Sequence, residues 1–193
     1  DYFRMKNKRL LFISNHASFF VSHRLNIFNY SLKKNYEFRL IFGKPASKKM
    51  EKIAIRELIK KKIKYLKLSY SNNSFSIMND LFSFFKILNY IIKYKPDLIH
   101  SASPKANLYA GILGKFFNKI SIVISFSGMG YLYTEKKINL IFYLKKLIFD
   151  SLLYFIFSKK KKRIIVQNKN DYALLKNKFN ISQKNILRIK GGS

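Results

Sequence analysis

The 193-residue chain contains no cysteine and no tryptophan, and it has only three prolines. Without cysteine it can form no disulfide framework, no thiolate metal site and no thiol nucleophile, which is typical of a reducing compartment. The scarcity of proline, together with 48% hydrophobic and 17% aromatic residues, argues against intrinsic disorder. The length fits one domain with a substantial core.

Acidic residues are also scarce, with 9 Asp and Glu against 39 Lys and Arg, and the formal net charge is +30. Two explanations stay open. One is codon bias in an AT-rich genome, which would also account for the abundance of Asn, Ile, Phe and Tyr. The other is an anionic partner, either a nucleic acid or a membrane surface. Only seven of the basic residues are arginine, and this counts against nucleic acid, because bidentate phosphate recognition favours arginine.

Several sequence motifs of catalysis are missing. Neither GxGxxG nor GxxxxGK[ST] occurs, so the two common phosphate-binding loops are absent. The GxSxG elbow of α/β-hydrolases and the HExxH zinc motif are absent as well. The apolar run at residues 10–13 is too short for a signal peptide, so we expect a cytoplasmic protein. Four aspartates can each be explained as helix caps or surface residues: Asp80, Asp97, Asp150 and Asp171.

Short apolar runs alternate with segments of helical apolar spacing along the whole chain. The runs are typical of strands buried on both faces of a parallel sheet. The predicted strands are residues 9–14, 37–42, 63–68, 98–99, 119–126, 164–167 and 186–189. The predicted helices are residues 23–34, 48–62, 77–94, 138–157, 170–178 and one that Ser103 caps and Pro104 begins. This order predicts an α/β fold with a Rossmann-like, doubly wound parallel sheet.

The predicted helix at residues 138–157 is long enough to cross a bilayer, but Lys145, Lys146 and Asp150 lie in its middle. Charges in hydrocarbon are costly, so a buried amphipathic helix is the favoured interpretation. The alternatives are a transmembrane helix and a helix lying in the membrane interface. We interpret the basic residues 159–163 as a break before the next strand. Their positive charge would favour the helix that lies in the membrane interface.

Ligands of open parallel sheets bind beyond the carboxyl ends of the strands. The corresponding predicted loops are residues 15–24, 69–76, 100–105 and 127–134. All three histidines lie in two of these loops, His16 and His23 in the first and His100 in the third, which predicts a cleft. Each histidine could equally be a hydrogen-bonded rim residue, and His23 a helix cap. Arg24 could bind an anion together with free backbone amides.

Five segments occur in an order and spacing that resembles the N-terminal domain of family 4 glycosyltransferases of the GT-B fold: HASFFVSHRLNIF, KPDLIHSASPKANLYAG, SFSGMGYLYT, RIIVQNKNDYALL and IKGGS. Within that family the chain looks like the branch that builds bacterial surface polysaccharides, lipopolysaccharide among them, on polyprenyl diphosphate. The resemblance implies an acceptor-side domain at residues 8–190 and the start of an interdomain linker at residues 191–193. The C-terminal domain that binds the nucleotide-sugar would lie outside this sequence, so we expect no sugar transfer by this chain alone.

The resemblance also implies transfer with retention of anomeric configuration. It implies no metal and no cofactor other than the nucleotide-sugar co-substrate. A lipid-linked acceptor would hold the protein on the inner face of the cytoplasmic membrane as a peripheral protein. A basic nucleic-acid-binding or membrane-surface-binding domain is the alternative, with nucleic acid the less expected partner.

Individual site residues follow from the resemblance as well, although no catalytic residue does. The positions that match the acceptor side are His16, Ser18, His23, Arg24, His100 and Lys105. The positions that match the loops lining the cleft are Ser127, Gly128, Met129, Gly130 and Asn168. In the loop after the fifth strand, the two glycines permit a positive φ or a close backbone approach to a ligand, or simply form a tight turn. Ala102 and Ser127 depart from the pattern, because many relatives carry histidine there, and NHASFF replaces a glycine-rich first loop.

Overall fold

The computed structural model describes residues 7–45, 47–71, 76–129, 133, 140–159 and 161–189. Its strands are β1 Lys8–Ser14, β2 Tyr36–Phe42, β3 Lys64–Lys67, β4 Leu98–Ala102, β5 Ser121–Phe126, β6 Lys162–Val166 and β7 Ile186–Arg188. They form a seven-stranded sheet in the order β3-β2-β1-β4-β5-β6-β7. Every neighbouring pair is parallel. The predicted Rossmann-like doubly wound sheet is therefore confirmed.

Helices connect the strands and cover both faces of the sheet. They are α1 Ala17–His23, α2 Leu25–Lys33, α3 Lys48–Lys60, α4 Ile77–Tyr94, α5 Pro104–Phe116, α6 Leu140–Phe157 and α7 Lys169–Asn177, with a short 3-10 helix at Gln183–Asn185. The helices α1 to α3 pack on one face, and α4 to α7 pack on the other. From β1 the strands β2 and β3 are added toward one side of the sheet, and from β4 the strands β5 to β7 are added toward the other. The order of addition therefore reverses between β1 and its neighbour β4. In such folds the crevice beside this reversal is the usual place for a ligand.

The first helix is the largest departure from the prediction, because residues 17–23 form α1 where we predicted a turn. Its cap explains the difference. The backbone N–H of Phe19 donates to Nδ1 of His16 at 3.0 Å, and the Glu51 carboxylate accepts the N–H groups of Ala17 and Ser18 at 3.0 and 2.9 Å. Since Glu51 lies more than thirty residues away in sequence, local spacing could not reveal this support.

Other boundaries differ from the prediction as well. Strand β4 continues through His100 to Ala102 because its backbone pairs with β1 on one side and β5 on the other, whatever the polarity of its side chains. Residues 162–163 begin β6 and are not a break. Of the basic run before them, Lys159 is buried and its ammonium donates to the carbonyl of Phe117 at 3.1 Å.

The long helices agree with the prediction where the structure describes them. Helix α4 has the predicted bounds, and α6 is described from Leu140, so residues 138–139 lie outside the described part. No helix in the described ranges combines the length and hydrophobicity that a membrane crossing requires.

Gly43, directly after β2, packs against Tyr70. A Cβ added at this position would lie 2.8 Å from the Tyr70 ring and would overlap the Tyr70 carbonyl oxygen. The same turn is held by hydrogen bonds from Gly43 N to the carbonyl of Asn15 and from Lys44 N to the carbonyl of Tyr70. Gly43 and Tyr70 therefore cannot move apart without breaking the hydrogen bonds of this turn.

We predict that Gly43→Ala lowers the free energy of unfolding by about 2 kcal/mol, because an added methyl group in a closely packed site forces a backbone shift. Gly128→Ala is the matched control, since a Cβ there meets no atom within 4 Å, and it should change stability by less than about 0.5 kcal/mol. Urea unfolding of both variants measures this difference. Equal stabilities would contradict the close packing of Gly43 on Tyr70.

Candidate functional site

A pocket of about 390 Å³ opens between the α1–α2 corner and the carboxyl ends of β5 and β6. Its polar lining includes His23, Arg24, His100, Ser125 and Gln167. The remaining wall is largely apolar. The pocket thus brings together three of the residues that we predicted for the acceptor side, at the edge of the sheet where the strand ends were expected to form a cleft.

His100 forms part of the inner wall of this pocket. It lies within β4, where its Nε2 is 2.8 Å from Oγ of Ser125 and its ring centroid is 4.8 Å from that of Phe12. Burial, and to a lesser extent the positive charge of Arg24, lowers the pKa of His100 to about 3. The imidazole is therefore neutral near pH 7, so it can exchange hydrogen bonds with a ligand but adds no positive charge.

Arg24 supplies the positive charge of the pocket. Its backbone N–H donates to the carbonyl of Phe20 at the end of α1, and its guanidinium donates to the carbonyl of His23 at 2.9 Å. The guanidinium also lies 5.5 Å from the ring centroid of Phe19. Burial lowers the pKa of Arg24. Within the described ranges no carboxylate is in salt-bridge distance of this group, so its charge is available to an anionic ligand.

His16 and Ser18 lie at the other end of α1 and do not line the pocket. The side chain of His16 caps the helix, and its Nδ1 is 2.8 Å from Oγ of Ser18. Burial lowers the pKa of His16, although the charge of Glu51 acts in the opposite direction. Glu51 is a residue that we missed. It shares the buried face of α3 with Ala54 and Leu58, and this helical spacing of an acidic residue among apolar ones was the available signal.

Lys105 is held by an ion pair on the opposite face of the sheet. Its Nζ lies 2.9 and 2.8 Å from the two carboxylate oxygens of Asp80, and the Tyr109 hydroxyl donates to the same carboxylate at 2.8 Å. Burial and the charge of Asp80 raise the pKa of Tyr109. Lys105 is therefore separated from the pocket that contains His100, and Asp80 joins the first turns of α4 and α5.

The predicted cleft loops after β5 and β6 are tied together by a buried carboxylate. The backbone N–H of Met129 donates to both oxygens of Asp171 at 3.1 Å, and the Asn168 side chain donates to Asp171 at 2.8 Å. Asn168 also caps α7 by accepting the N–H of Asp171. Ser127 and Gly128 are exposed, and the φ of Gly128 is not positive. Gly130 and residues 190–193, which include the predicted linker, lie outside the described residues.

The described residues contain no group of three His, Asp or Glu side chains that could hold a metal ion. The polar lining named above offers a guanidinium, two imidazoles, a hydroxyl and an amide beside an apolar wall. Such a lining can bind a polar molecule that carries a negative charge and also presents hydroxyl groups and carbon faces.

Solved structures share this fold, a Rossmann-like half of the GT-B type. A glycosyltransferase from Rickettsia africae ESF-5 matches 97% of this chain with a TM-score of 0.61 and 18% identity. The lipopolysaccharide outer core galactosyltransferase WaaB matches 96% with a TM-score of 0.60 and 15% identity. A UDP-GlcNAc 2-epimerase from Methanocaldococcus jannaschii matches 95% with a TM-score of 0.61 and 13% identity. At these identities the similarity shows the fold alone.

The chain belongs to the glycosyl transferase 4-like family, whose model matches residues 9–168. The resemblance drawn from the five sequence segments is thereby confirmed at the level of the family. The chain spans 44–46% of the length of the three solved structures named above. No curated protein sequence matches it.

We predict that His100→Gln flattens the dependence of stability on pH. Between pH 6.5 and 4.5 the imidazole takes up a proton in the unfolded chain but stays neutral in the folded one, so acidification favours unfolding. Over this interval the wild type should lose about 2 kcal/mol more than the variant. Urea unfolding of the wild type and the variant at the two pH values measures this difference. The carboxylates titrate alike in both proteins, so their contribution cancels. Equal losses would contradict a buried neutral His100.

We further predict that Glu51→Gln lowers the free energy of unfolding by about 2 kcal/mol, because an amide replaces the charged acceptor of two buried N–H groups. Glu57→Gln is the control in the same helix. Glu57 pairs with Lys61 on the surface at 3.4 Å, and its replacement should cost no more than about 0.5 kcal/mol. Urea unfolding of both variants provides the comparison, and a similar cost for both would argue that α1 does not depend on Glu51.

Proposed function

We propose that this chain is the acceptor-binding half of a retaining glycosyltransferase. The enzyme would move a sugar, a hexose in our proposal, from a nucleotide-sugar to a lipid-linked or polysaccharide acceptor. Membership of the family supports glycosyl transfer in general. The observation that carries the acceptor-side role is the pocket in which the half-buried Arg24 lacks a carboxylate partner among the described residues and lies beside His100.

The lining of the pocket fits a sugar attached to a diphosphate. The Arg24 guanidinium would bind a phosphate oxygen, since charge-assisted hydrogen bonds to phosphate are among the stronger ones in proteins. The neutral imidazole of His100 and the side chain of Gln167 would contact sugar hydroxyls. Val21 and Ile165 provide apolar surface for the carbon face of a sugar ring.

His23 and Arg24 remain our acceptor-side assignments, together with His100. In our proposal His16 and Ser18 act indirectly, by holding α1 in the position that presents Arg24. In our proposal Lys105 also acts indirectly, because its ion pair with Asp80 connects the starts of α4 and α5. The exposed loop at Ser127 and Gly128, with Met129 and Asn168 behind it, would line the cleft toward the donor.

The donor would be bound mainly by a second Rossmann-like half. This part of the proposal draws on the GT-B architecture, in which two such halves face one another across a cleft, and on the fraction of the similar structures that this chain spans. Residues 8–190 would then form the acceptor-side domain, and residues 191–193 would begin the linker. Helix N-termini at the cleft would help to stabilise the departing nucleoside diphosphate.

We also propose a peripheral location on the inner face of the cytoplasmic membrane, because a polyprenyl-diphosphate acceptor resides there. Membership of a branch that builds bacterial surface polysaccharides such as lipopolysaccharide belongs to the same proposal. The alternative of nucleic-acid binding rests on net charge alone, and the family assignment favours the transferase.

The test is an assay of the complete gene product with radiolabelled UDP-sugars and a polyprenyl-diphosphate-linked acceptor. Arg24→Gln should lower kcat/KM for the acceptor by about tenfold to a hundredfold, since a hydrogen bond to a charged group contributes about 1.5–3 kcal/mol. Arg56→Gln is the matched control, because Arg56 is exposed on α3 and away from the pocket. It should leave kcat/KM within about twofold of the wild-type value.

Two outcomes would contradict the proposal. If no labelled lipid forms with any UDP-sugar while the product is folded by circular dichroism, the acceptor or donor class is wrong. If labelled lipid forms and the Arg24 and Arg56 variants are equally active, the pocket is not the acceptor site.

A further inference from the structure

A second pocket, of about 240 Å³, lies at the amino edge of the sheet, opposite to the edge that carries the candidate site. We call it the amino-edge pocket. It opens between the first halves of β1 and β2 and the last turn of α4, which ends at this edge because the helix precedes β4. Three basic residues, one acidic residue and two tyrosines line it: Arg9, Arg39, Lys93, Glu37, Tyr90 and Tyr94. It shares no lining residue with the candidate site.

The alternation of side chains along the strands places the charged residues on the α4 side of the sheet. Leu11 of β1 and Ile41 of β2 belong to the core under α4 and α5. Arg9, Glu37 and Arg39 lie an even number of residues before them, so their side chains point to the same face. Arg9 and Glu37 are also register partners in neighbouring strands. The last turn of α4 therefore covers a group of charges where the core ends.

Both arginines of the amino-edge pocket share the carboxylate of Glu37. Arg39 donates from Nε and Nη2 to its Oε1 at 3.1 and 2.9 Å, and Nε of Arg9 lies 3.7 Å from its Oε2. Lys93 is exposed and pairs with no carboxylate in the described part of the chain. The other ion pairs among the described residues match one cation to one carboxylate. Here three positive charges face one negative charge, so the lining has a net charge of +2.

The two guanidinium groups are held in place but keep N–H groups for a ligand. Arg39 donates from Nη1 to the Tyr90 hydroxyl at 3.4 Å, and its guanidinium lies 4.2 Å from the ring centroid of Tyr94. Arg9 donates from Nη1 to the carbonyl of Tyr94 at 2.8 Å. The remaining N–H groups, among them both of Nη2 of Arg9, have no acceptor among the residues that the structure describes. The side chains of Arg9 and Arg39 are 30% and 29% exposed, so a ligand can reach them.

The charges just outside the lining do not remove this excess. Asp97 is the nearby carboxylate, and it accepts the backbone N–H of Arg9 at 2.8 Å. Its negative charge is opposed by that of Lys64, which is exposed and is the register partner of Arg39 on β3. The amino-edge pocket therefore favours an anion.

A phosphate monoester matches the lining better than a carboxylate does. At neutral pH it carries a charge of about −1.5 to −2 and presents three acceptor oxygens, so it can meet three cations at once. Arginine binds phosphate through parallel N–H groups. Pockets for drug-sized ligands have volumes of about 300–1,000 Å³, so a volume of about 240 Å³ limits the organic part to about the size of one sugar. The half-buried ring of Tyr90 provides an apolar surface for its carbon face.

We propose that the amino-edge pocket binds a small phosphorylated molecule of the size of a sugar phosphate. Arg9, Arg39 and Lys93 contact the phosphate, and Tyr90 contacts the sugar ring. This site is separate from the acceptor pocket of the proposed function, since it lies at the other end of the strands. Binding here can fail while sugar transfer succeeds, and the reverse also holds.

Isothermal titration of the complete gene product with glucose 6-phosphate and, separately, with inorganic phosphate tests this site. Arg39→Gln should weaken the binding of both probes at least about tenfold, because a charged donor pair to the phosphate is lost. Lys93→Gln should weaken it about threefold to tenfold, as expected for a more exposed charge. Lys93 makes no hydrogen bond or ion pair with the described residues, so its replacement leaves the fold intact.

Two control variants separate this site from general charge effects and from the acceptor pocket. Lys86→Gln removes an exposed lysine of the same helix that does not line the amino-edge pocket. Arg24→Gln removes the cation of the candidate site. Both should bind glucose 6-phosphate within about twofold of the wild type.

The two probes also distinguish the source of the phosphate. Glucose 6-phosphate should bind more tightly than inorganic phosphate, because Tyr90 contacts its sugar ring. Equal or weaker binding would overturn the assignment of a sugar phosphate in favour of free phosphate. The site itself is disproved if neither probe binds the wild type, or if Arg24→Gln abolishes binding while Arg39→Gln and Lys93→Gln do not.

Discussion

The strand β1 is buried from both sides, because Leu11 and Ile13 pack toward α4 and α5 while Leu10 and Phe12 pack toward the layer of α1 to α3. Its backbone also pairs with β2 and β4. This double burial requires helices on both faces and parallel neighbours, since each crossover must return the chain to the same end of the sheet. All seven carboxyl ends consequently lie along one edge, and the polar residues that follow them are brought to that edge.

Buried carboxylates then hold the loops at that edge. Glu51 reaches from α3 to the first N–H groups of α1, and Asp171 reaches from α7 to the N–H of Met129 after β5. A buried carboxylate is costly unless hydrogen-bond donors surround it, and backbone N–H groups at helix starts and loops meet this need. In a chain with only nine acidic residues, two of them serve to position the segments that flank the candidate cleft.

The ligands that the pocket can bind depend on the different charges of His100 and Arg24. His100 is neutral because it is buried beside Phe12 and Arg24, whereas Arg24 keeps its charge without a carboxylate partner among the described residues. The site can therefore attract an anion and still exchange hydrogen bonds with neutral hydroxyl groups. The structural similarity to both a glycosyltransferase and an epimerase indicates that the sheet alone does not decide the chemistry.

Much of the architecture was predictable from the sequence alone, because continuous apolar runs and helical apolar spacing are local signals of burial. They identified all seven strands and the bounds of α4, and the five ordered segments identified the family. The helical turn at residues 17–23, the extension of β4 past His100 and the pairing of Lys105 with Asp80 were decided only by the tertiary structure. Each depends on a partner distant in sequence, such as Glu51 for α1 and β5 for β4. Local spacing records which side of an element is buried, but the contact that satisfies a buried polar group exists only once the chain has folded.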